Sequence, residues 1–196
     1  MPTFRSLCVF CGYARGADPR YVAVATGLGR ILARGGIELI YGGGHHGMMG
    51  ALAEAALTSG GRVTGVIPDF LMRMEAAYLE ISEMVVVTSM EARKRLMLER
   101  SDAFCVLPGG FGTMDEAFEV LTQKQLGLLE KPVVFVNVNG YFSPWCEMIK
   151  RIVEGGFAPP EAAELFTLVD SEEGVLPAIE AELALPVKPG LRRCAS

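Results

Sequence analysis

Residues 105–116, Cys-Val-Leu-Pro-Gly-Gly-Phe-Gly-Thr-Met-Asp-Glu, read as an apolar strand that breaks into a glycine turn and opens a helix. Glycines there let backbone N–H groups crowd around an anion, and the helix start behind them aims a positive dipole end at the same point. A phosphate fits such a turn. Glu116 sets it apart from a plain phosphate loop, because a carboxylate beside a bound anion requires a reason. One reason is local: Thr113-Met114-Asp115-Glu116 has capping-box spacing, in which the Thr113 hydroxyl accepts from the N–H of Glu116 and the Glu116 side chain reaches back to the N–H of Thr113. The other reason is chemical, and the two can coexist, since an exposed carboxylate at a helix start is stabilised by roughly 0.3 to 1 kcal/mol.

Outward from this stretch, apolar runs of strand length alternate with helix-period segments. The expected strands are Leu7 to Cys11, Glu38 to Tyr41, Arg62 to Ile67, Met84 to Thr88, Ala103 to Leu107, Val133 to Val138 and Phe166 to Val169. The first helix is punctuated by Asp18 as N-cap, Pro19 at its first position, an apolar stripe from Tyr21 to Leu32 and Gly35-Gly36 at its end. Further helices are expected over 47–58, 90–100, 113–129, 144–154 and 172–183, with start signals at Ser143-Pro144 and Ser171. Such alternation predicts an α/β fold: one Rossmann-like, doubly wound domain over 1–185, with a mainly parallel sheet of seven strands and helices on both faces. Residues 186–196 read as a frayed C-terminal tail.

The 196 residues are 51% hydrophobic and carry a formal charge of −5, which suits one domain with a sizeable core and disfavours nucleic acid as a partner. No apolar run reaches the ~18 residues of a membrane span, and Met1-Pro2-Thr3-Phe4-Arg5-Ser6 lacks a signal-peptide core, so a cytoplasmic protein is expected. Five cysteines make no disulfide framework. Cys8 and Cys11 form a C-x-x-C, but in a strand they point to opposite faces, and no second pair completes a zinc site. Neighbouring His45 and His46 also point apart, so no metal site is expected.

In doubly wound sheets ligands bind beyond the carboxyl ends of the strands. Three glycine turns occupy that position, Gly12 to Gly16, Gly42-Gly43-Gly44 to Gly47, and Gly109-Gly110 to Gly112, and together they point to a nucleotide or sugar-phosphate site. None matches the P-loop or the dinucleotide fingerprint. A fourth segment, Ser89-Met90-Glu91-Ala92-Arg93-Lys94-Arg95, should reach the same rim. Arg95 and Arg100 read as a solvated face. Arg93 and Lys94 sit in the first turns, where cations oppose the helix dipole, a placement that makes sense beside a bound anion.

Taken together, Tyr41 to Gly50, Met90 with Arg93-Lys94, and Pro108-Gly109-Gly110-Phe111-Gly112-Thr113-Met114-Asp115-Glu116 resemble the LONELY GUY (LOG) family of cytokinin riboside 5'-monophosphate phosphoribohydrolases, often mislabelled lysine decarboxylases. The similarity runs from about Leu7 to Asp170 and includes Val66-Ile67-Pro68, Gln125-Leu126-Gly127, Lys131-Pro132 and Asn137-Val138-Asn139-Gly140-Tyr141. The resemblance implies a homodimeric, cofactor-free hydrolase of cytokinin biosynthesis or AMP nucleosidase type. It would cleave the N-glycosidic bond of a purine nucleoside 5'-monophosphate into free base and ribose 5-phosphate. By the same resemblance Arg93 and Glu116 are the catalytic pair, and Gly43, Gly44, Met90, Arg93, Lys94, Gly109, Gly110, Gly112, Thr113 and Glu116 bind substrate. In its first turn the family commonly has Gly-Ser-Ser, whereas this chain has Gly12-Tyr13-Ala14-Arg15-Gly16, and His46 stands where an apolar residue is commoner. These departures leave a cytokinin nucleotide and plain AMP both open as substrate.

Departure of a purine leaves positive charge on the ribose, an oxocarbenium-like state that an anion must stabilise. A glutamate with a pKa of about 4.3 is protonated roughly one time in 500 at pH 7, so Glu116 is expected to act ionised and not as a general acid. Arg93 cannot deliver a proton and is assigned to aligning the phosphoribosyl group and Glu116, while Asp115 supports the helix dipole. A pyridoxal phosphate decarboxylase would need a lysine for the Schiff base; Lys94 is the only lysine in a candidate site segment, and nothing around it suggests a buried amine. The alternative of another class is a non-enzymatic nucleotide or molybdenum-cofactor-type carrier on the same fold, which would not need Arg93 together with Glu116. Ten methionines and exposed apolar helix residues provide material for a two-fold interface.

Overall fold

The computed structural model describes residues 2–74 and 77–185, so the tail over 186–196, expected to be frayed, lies outside the described residues. All seven expected strands form: β1 (Ser6–Phe10), β2 (Glu38–Tyr41), β3 (Val63–Pro68), β4 (Glu83–Val87), β5 (Ala103–Val106), β6 (Val133–Val136) and β7 (Thr167–Val169). They join one sheet in which every neighbouring pair is parallel, in the order β4-β3-β2-β1-β5-β6-β7. The chain winds outward from the central β1 to β4, then returns to lay β5 on the other side of β1. Connections therefore diverge between β1 and β5, the kind of switch point beyond whose carboxyl ends doubly wound sheets bind ligands.

Among the described residues seven α-helices follow the strands: α1 (Pro19–Gly35), α2 (Gly47–Thr58), α3 (Asp69–Met74), α4 (Met90–Arg100), α5 (Phe111–Gln125), α6 (Ser143–Glu154) and α7 (Val175–Leu183). Leu28 and Leu32 of α1, Leu52 of α2 and Ile179 of α7 pack on one face of the sheet against Leu7, Val9 and Leu39. On the other face Met97 of α4, Val120 of α5 and Trp145 of α6 pack against Cys8, Phe10, Phe104 and Phe135. Burial on both faces explains why Leu7 to Phe10 of β1, β5 and β6 are continuous apolar runs with no polar alternation. Cys8 and Cys11 belong to opposite faces, as their spacing in the chain requires.

The punctuation of α1 is as expected, with Asp18 Oδ1 accepting from Arg20 N–H at 2.9 Å and Gly36 in the left-handed region at φ 65°. Elsewhere the sequence reading needs correction. The helix expected over 113–129 begins at Phe111, with Gly110 as N-cap, and ends at Gln125. Thr113 is therefore inside the helix and the capping box with Glu116 does not form; Met114 N–H bonds back to the Gly110 carbonyl at 3.1 Å instead. The helix expected over 172–183 is a 3-10 turn, Glu172–Gly174, followed by α7, and neither Ser143 nor Ser171 caps through its side chain. α3 was not anticipated, because six residues are too few to display a helical period.

Candidate active site

The turn between β5 and α5 is clasped to the turn after β1. Leu107 N–H donates to the Phe10 carbonyl at 2.9 Å and Gly12 N–H to the Pro108 carbonyl at 3.0 Å. Gly109 is required by close approach, since a β-carbon there would lie 2.1 Å from Thr113 Oγ1 and 2.8 Å from the Gly12 nitrogen. The N–H groups of Gly110, Phe111, Gly112 and Thr113 are the four that a helix start leaves without intrahelical partners, and they donate to no group among the described residues. Nothing lies within 4 Å of where a β-carbon would project from Gly110 or Gly112. Four free amides at the positive end of a helix dipole, with open space beside Gly110 and Gly112, have the chemistry to hold an anion.

Arg93 and Glu116 meet beside it. On α5 the buried stripe is Thr113, Glu116, Ala117, Val120 and Leu121, so the period that seats the helix also carries the carboxylate inward. On α4 the buried residues are Arg93, Met97 and Leu98, which likewise turns the guanidinium toward the sheet. The result is a cation 8% exposed and an anion 7% exposed, with Arg93 Nη2 3.7 Å from Glu116 Oε1. The same Nη2 donates to the Gly42 carbonyl at 3.4 Å, and Nη1 lies 3.9 Å from the sulfur of Met90. Among the described residues Arg93 Nε is buried without a hydrogen-bond partner. A guanidinium so long-bonded and partly unsatisfied has donors to spare for a ligand. Gly42 makes room for it, because a β-carbon at that position would fall 2.1 Å from Nη2.

Burial pushes the Glu116 carboxyl up to about 7; Arg93 opposes the shift, Asp115 adds to it and Lys94 opposes it. This corrects the expectation that Glu116 keeps an ordinary or lower pKa. The helix begins at Phe111, which puts the carboxyl in the second turn, and desolvation outweighs both the dipole and the adjacent guanidinium. Near neutrality the group is therefore poised between its two forms.

Lys94 is engaged by two carboxylates of α5. Its Nζ is 3.1 Å from Asp115 Oδ2 and 2.9 Å from Glu119 Oε2, strapping α4 to α5. Burial pulls its ammonium down, but the hydrogen bonds to Glu119 and Asp115 outweigh that and leave it raised overall. Asp115, expected to support the dipole, is thus a partner of Lys94. Arg95 and Arg100 are exposed as expected, Arg100 pairing with Glu83 at 2.7 Å.

The second glycine turn lies on the same rim but is closed over. Gly43 and Gly44 are buried, the Gly43 carbonyl accepts from Tyr78 N–H at 3.0 Å, and Gly44 bridges Ala77. His45 is exposed and stacks on Tyr78 with ring centres 4.2 Å apart. With His46, Arg15 and Glu54 it lines a groove of about 500 Å³ between α1 and α2, which contains neither Arg93 nor Glu116. Tyr13 stands exposed on the rim. Among the described residues no three or more histidine, cysteine or acidic side chains gather as a metal site. The sequence reading assigned no role to Tyr141, whose hydroxyl donates to the Gly109 carbonyl; the signal was a tyrosine at the end of the turn that follows a strand of the same rim.

Residues 49–179 match a family model described as possible lysine decarboxylase. A cytokinin riboside 5'-monophosphate phosphoribohydrolase from Rhodococcoides fascians is 45% identical over 181 residues, which are 92% of this chain and 91% of that one. One from Arabidopsis thaliana is 40% identical over 177 residues, 90% of this chain and 82% of that one. Among solved structures, the molybdenum cofactor carrier protein of Chlamydomonas reinhardtii superposes with a TM-score of 0.69 at 22% identity, covering 93% of this chain and 99% of that one, a likeness of fold alone. The ammonium of Lys94, held between two carboxylates, is unlike the free amine that Schiff-base chemistry requires, so Lys94 gives the decarboxylase description no support. With such identity along nearly the whole of both chains, this protein belongs to the family of cytokinin riboside 5'-monophosphate phosphoribohydrolases.

Proposed function

We propose that the protein hydrolyses the N-glycosidic bond of a cytokinin riboside 5'-monophosphate, or of the closely related AMP, releasing the free base and ribose 5-phosphate. The observation that carries the reading is the buried Arg93–Glu116 pair standing beside four amides that have no acceptor among the described residues. A nucleoside monophosphate offers what each lacks: a phosphate for the amides of Gly110 to Thr113, and a sugar that becomes cationic for the carboxylate. As the bond between C1' and the base nitrogen breaks, both electrons leave with the base. The ionised Glu116 stabilises the charge left on C1' and the ring oxygen, and water adds to C1', the proton it sheds balancing the one that the departing base nitrogen takes up. Arg93 is already charged, so its part is to align phosphate, ribose and Glu116 through its remaining donors. Gly42 and Met90 seat the guanidinium, Gly109 and Thr113 shape the turn, and Gly43 and Gly44 wall the rim behind it.

The fold is shared with carriers of a nucleotide-like cofactor, but a carrier has no use for a carboxylate held against desolvation next to the ligand. Mixing the protein with AMP, and separately with a cytokinin nucleotide, and looking for free base by chromatography decides the point. Base release that Glu116→Gln abolishes by several orders of magnitude supports the hydrolase; tight binding without release, or a fully active Glu116→Gln, overturns it.

The homodimer and a cytoplasmic setting belong to the same proposal. Val86 on the edge strand β4 is 49% exposed, with Phe70 and Leu79 exposed in the connection leading to that strand, an apolar margin suited to a second copy. Among the described residues no helix is long and apolar enough to cross a membrane.

A further inference from the structure

The hydroxyl of Tyr141 donates to the carbonyl of Gly109, reaching across from the turn after β6 to the turn after β5. The arm that delivers it is braced at several points. Asn137 Oδ1 accepts from Phe142 N–H at 2.7 Å, and Asn139, with φ at 52°, donates to Asp18 Oδ2 at 3.3 Å. The Tyr141 ring packs edge-on against Tyr21 and Phe142, with centres 5.6 and 5.0 Å apart. Its position is therefore set from three sides before it touches Gly109.

What that contact fixes is a peptide plane. The carbonyl of Gly109 and the N–H of Gly110 belong to one trans peptide, in which the two groups point in opposite directions. Drawing the carbonyl toward Tyr141 aims the Gly110 N–H away from it, and that N–H is one of the four with no acceptor among the described residues. Between two glycines such a peptide could otherwise turn over at small steric cost. The neighbouring Pro108 carbonyl is already held by Gly12, so Tyr141 completes the fixing of the turn.

We propose that Tyr141 is a positioning residue for phosphate binding: its hydroxyl sets the Gly109–Gly110 peptide so that the Gly110 amide is presented to the anion. The proposal rests on reading residues 110–113 as the seat of the substrate phosphate. Tyr141→Phe tests it, since phenylalanine keeps the ring and its edge contacts and removes only the donor. The dissociation constant for inorganic phosphate, measured by calorimetry, and the KM for AMP should each rise about fivefold. kcat should stay within about twofold, thermal midpoint should hold, and competitive inhibition by adenosine, which has no phosphate, should be unchanged.

Equal phosphate affinity in the two proteins overturns the proposal, and so does a parent protein that binds no phosphate. Phosphate and adenosine weakened alike would reduce Tyr141 to a packing role. A parent that binds phosphate but releases no base refutes the hydrolase instead, while the phosphate titration still decides the role of Tyr141.

Discussion

Replacing Glu116 with glutamine removes a charge that the fold holds against its own stability. Burial raises the carboxyl from its ordinary 4.5 to about 7, so the folded protein binds this proton more tightly than the open chain does. Below pH 4.5 both states are protonated and the site costs nothing on this account. As pH rises from 4.5 toward 7 the open chain ionises first and stability falls; above 7 the loss is complete. At about 1.36 kcal/mol for each tenfold difference in proton affinity, it amounts to roughly 3 kcal/mol. Glutamine cannot ionise and escapes this cost, whereas any loss from leaving Arg93 beside a neutral group is the same at every pH. Urea melts of parent and Glu116→Gln at pH 4 and pH 8.5 should therefore show the variant gaining about 3 kcal/mol relative to the parent across that interval. The parent's kcat/KM for AMP should climb through the same pH near 7, because the ionised form is the working one. A stability difference flat with pH within ~0.5 kcal/mol, or a kcat/KM that falls through pH 7, refutes the reasoning.

Gly42→Ala puts a methyl group 2.1 Å from Arg93 Nη2, so base release should drop at least about tenfold and urea melts should register a loss of about 1 to 3 kcal/mol. Lys94→Met breaks the strap to Asp115 and Glu119, which engages two of the ammonium's three donors and leaves Arg93 and Glu116 in place, so steady-state kcat/KM should change less than about threefold while stability falls by up to ~1 kcal/mol. Sedimentation should give a dimer for the parent at micromolar concentration and a monomer for Val86→Glu, with unchanged circular dichroism; a monomeric parent removes the two-fold interface.

Much of this was legible in the chain because the local signals agree with one another. Pro19 and Gly36 bracket α1, and apolar runs such as residues 133–136 need no tertiary information to read as buried strands. The shared rim followed from the alternation, since glycine turns after parallel strands fall on one edge. The start of α5 was misread because Thr113 and Glu116 have the right identities for a cap, while Gly110 and Gly112 look like turn residues; only the free space beside both shows that a helix can open there. The proton affinity of Glu116 was misjudged for a related reason. Desolvation depends on what other elements bring against a side chain, and α4 is remote in sequence. The partners of Lys94 and the reach of Tyr141 are likewise properties of two turns or helices meeting, which no single segment encodes.

Arg93 precedes the chain's return across the sheet and Glu116 follows it. Each half of the molecule thus brings one charge, and neither fragment alone can assemble the pair. A polypeptide divided between α4 and β5 would become competent only on reassociation, so turnover would serve as a direct readout of the docking of two half-sheets.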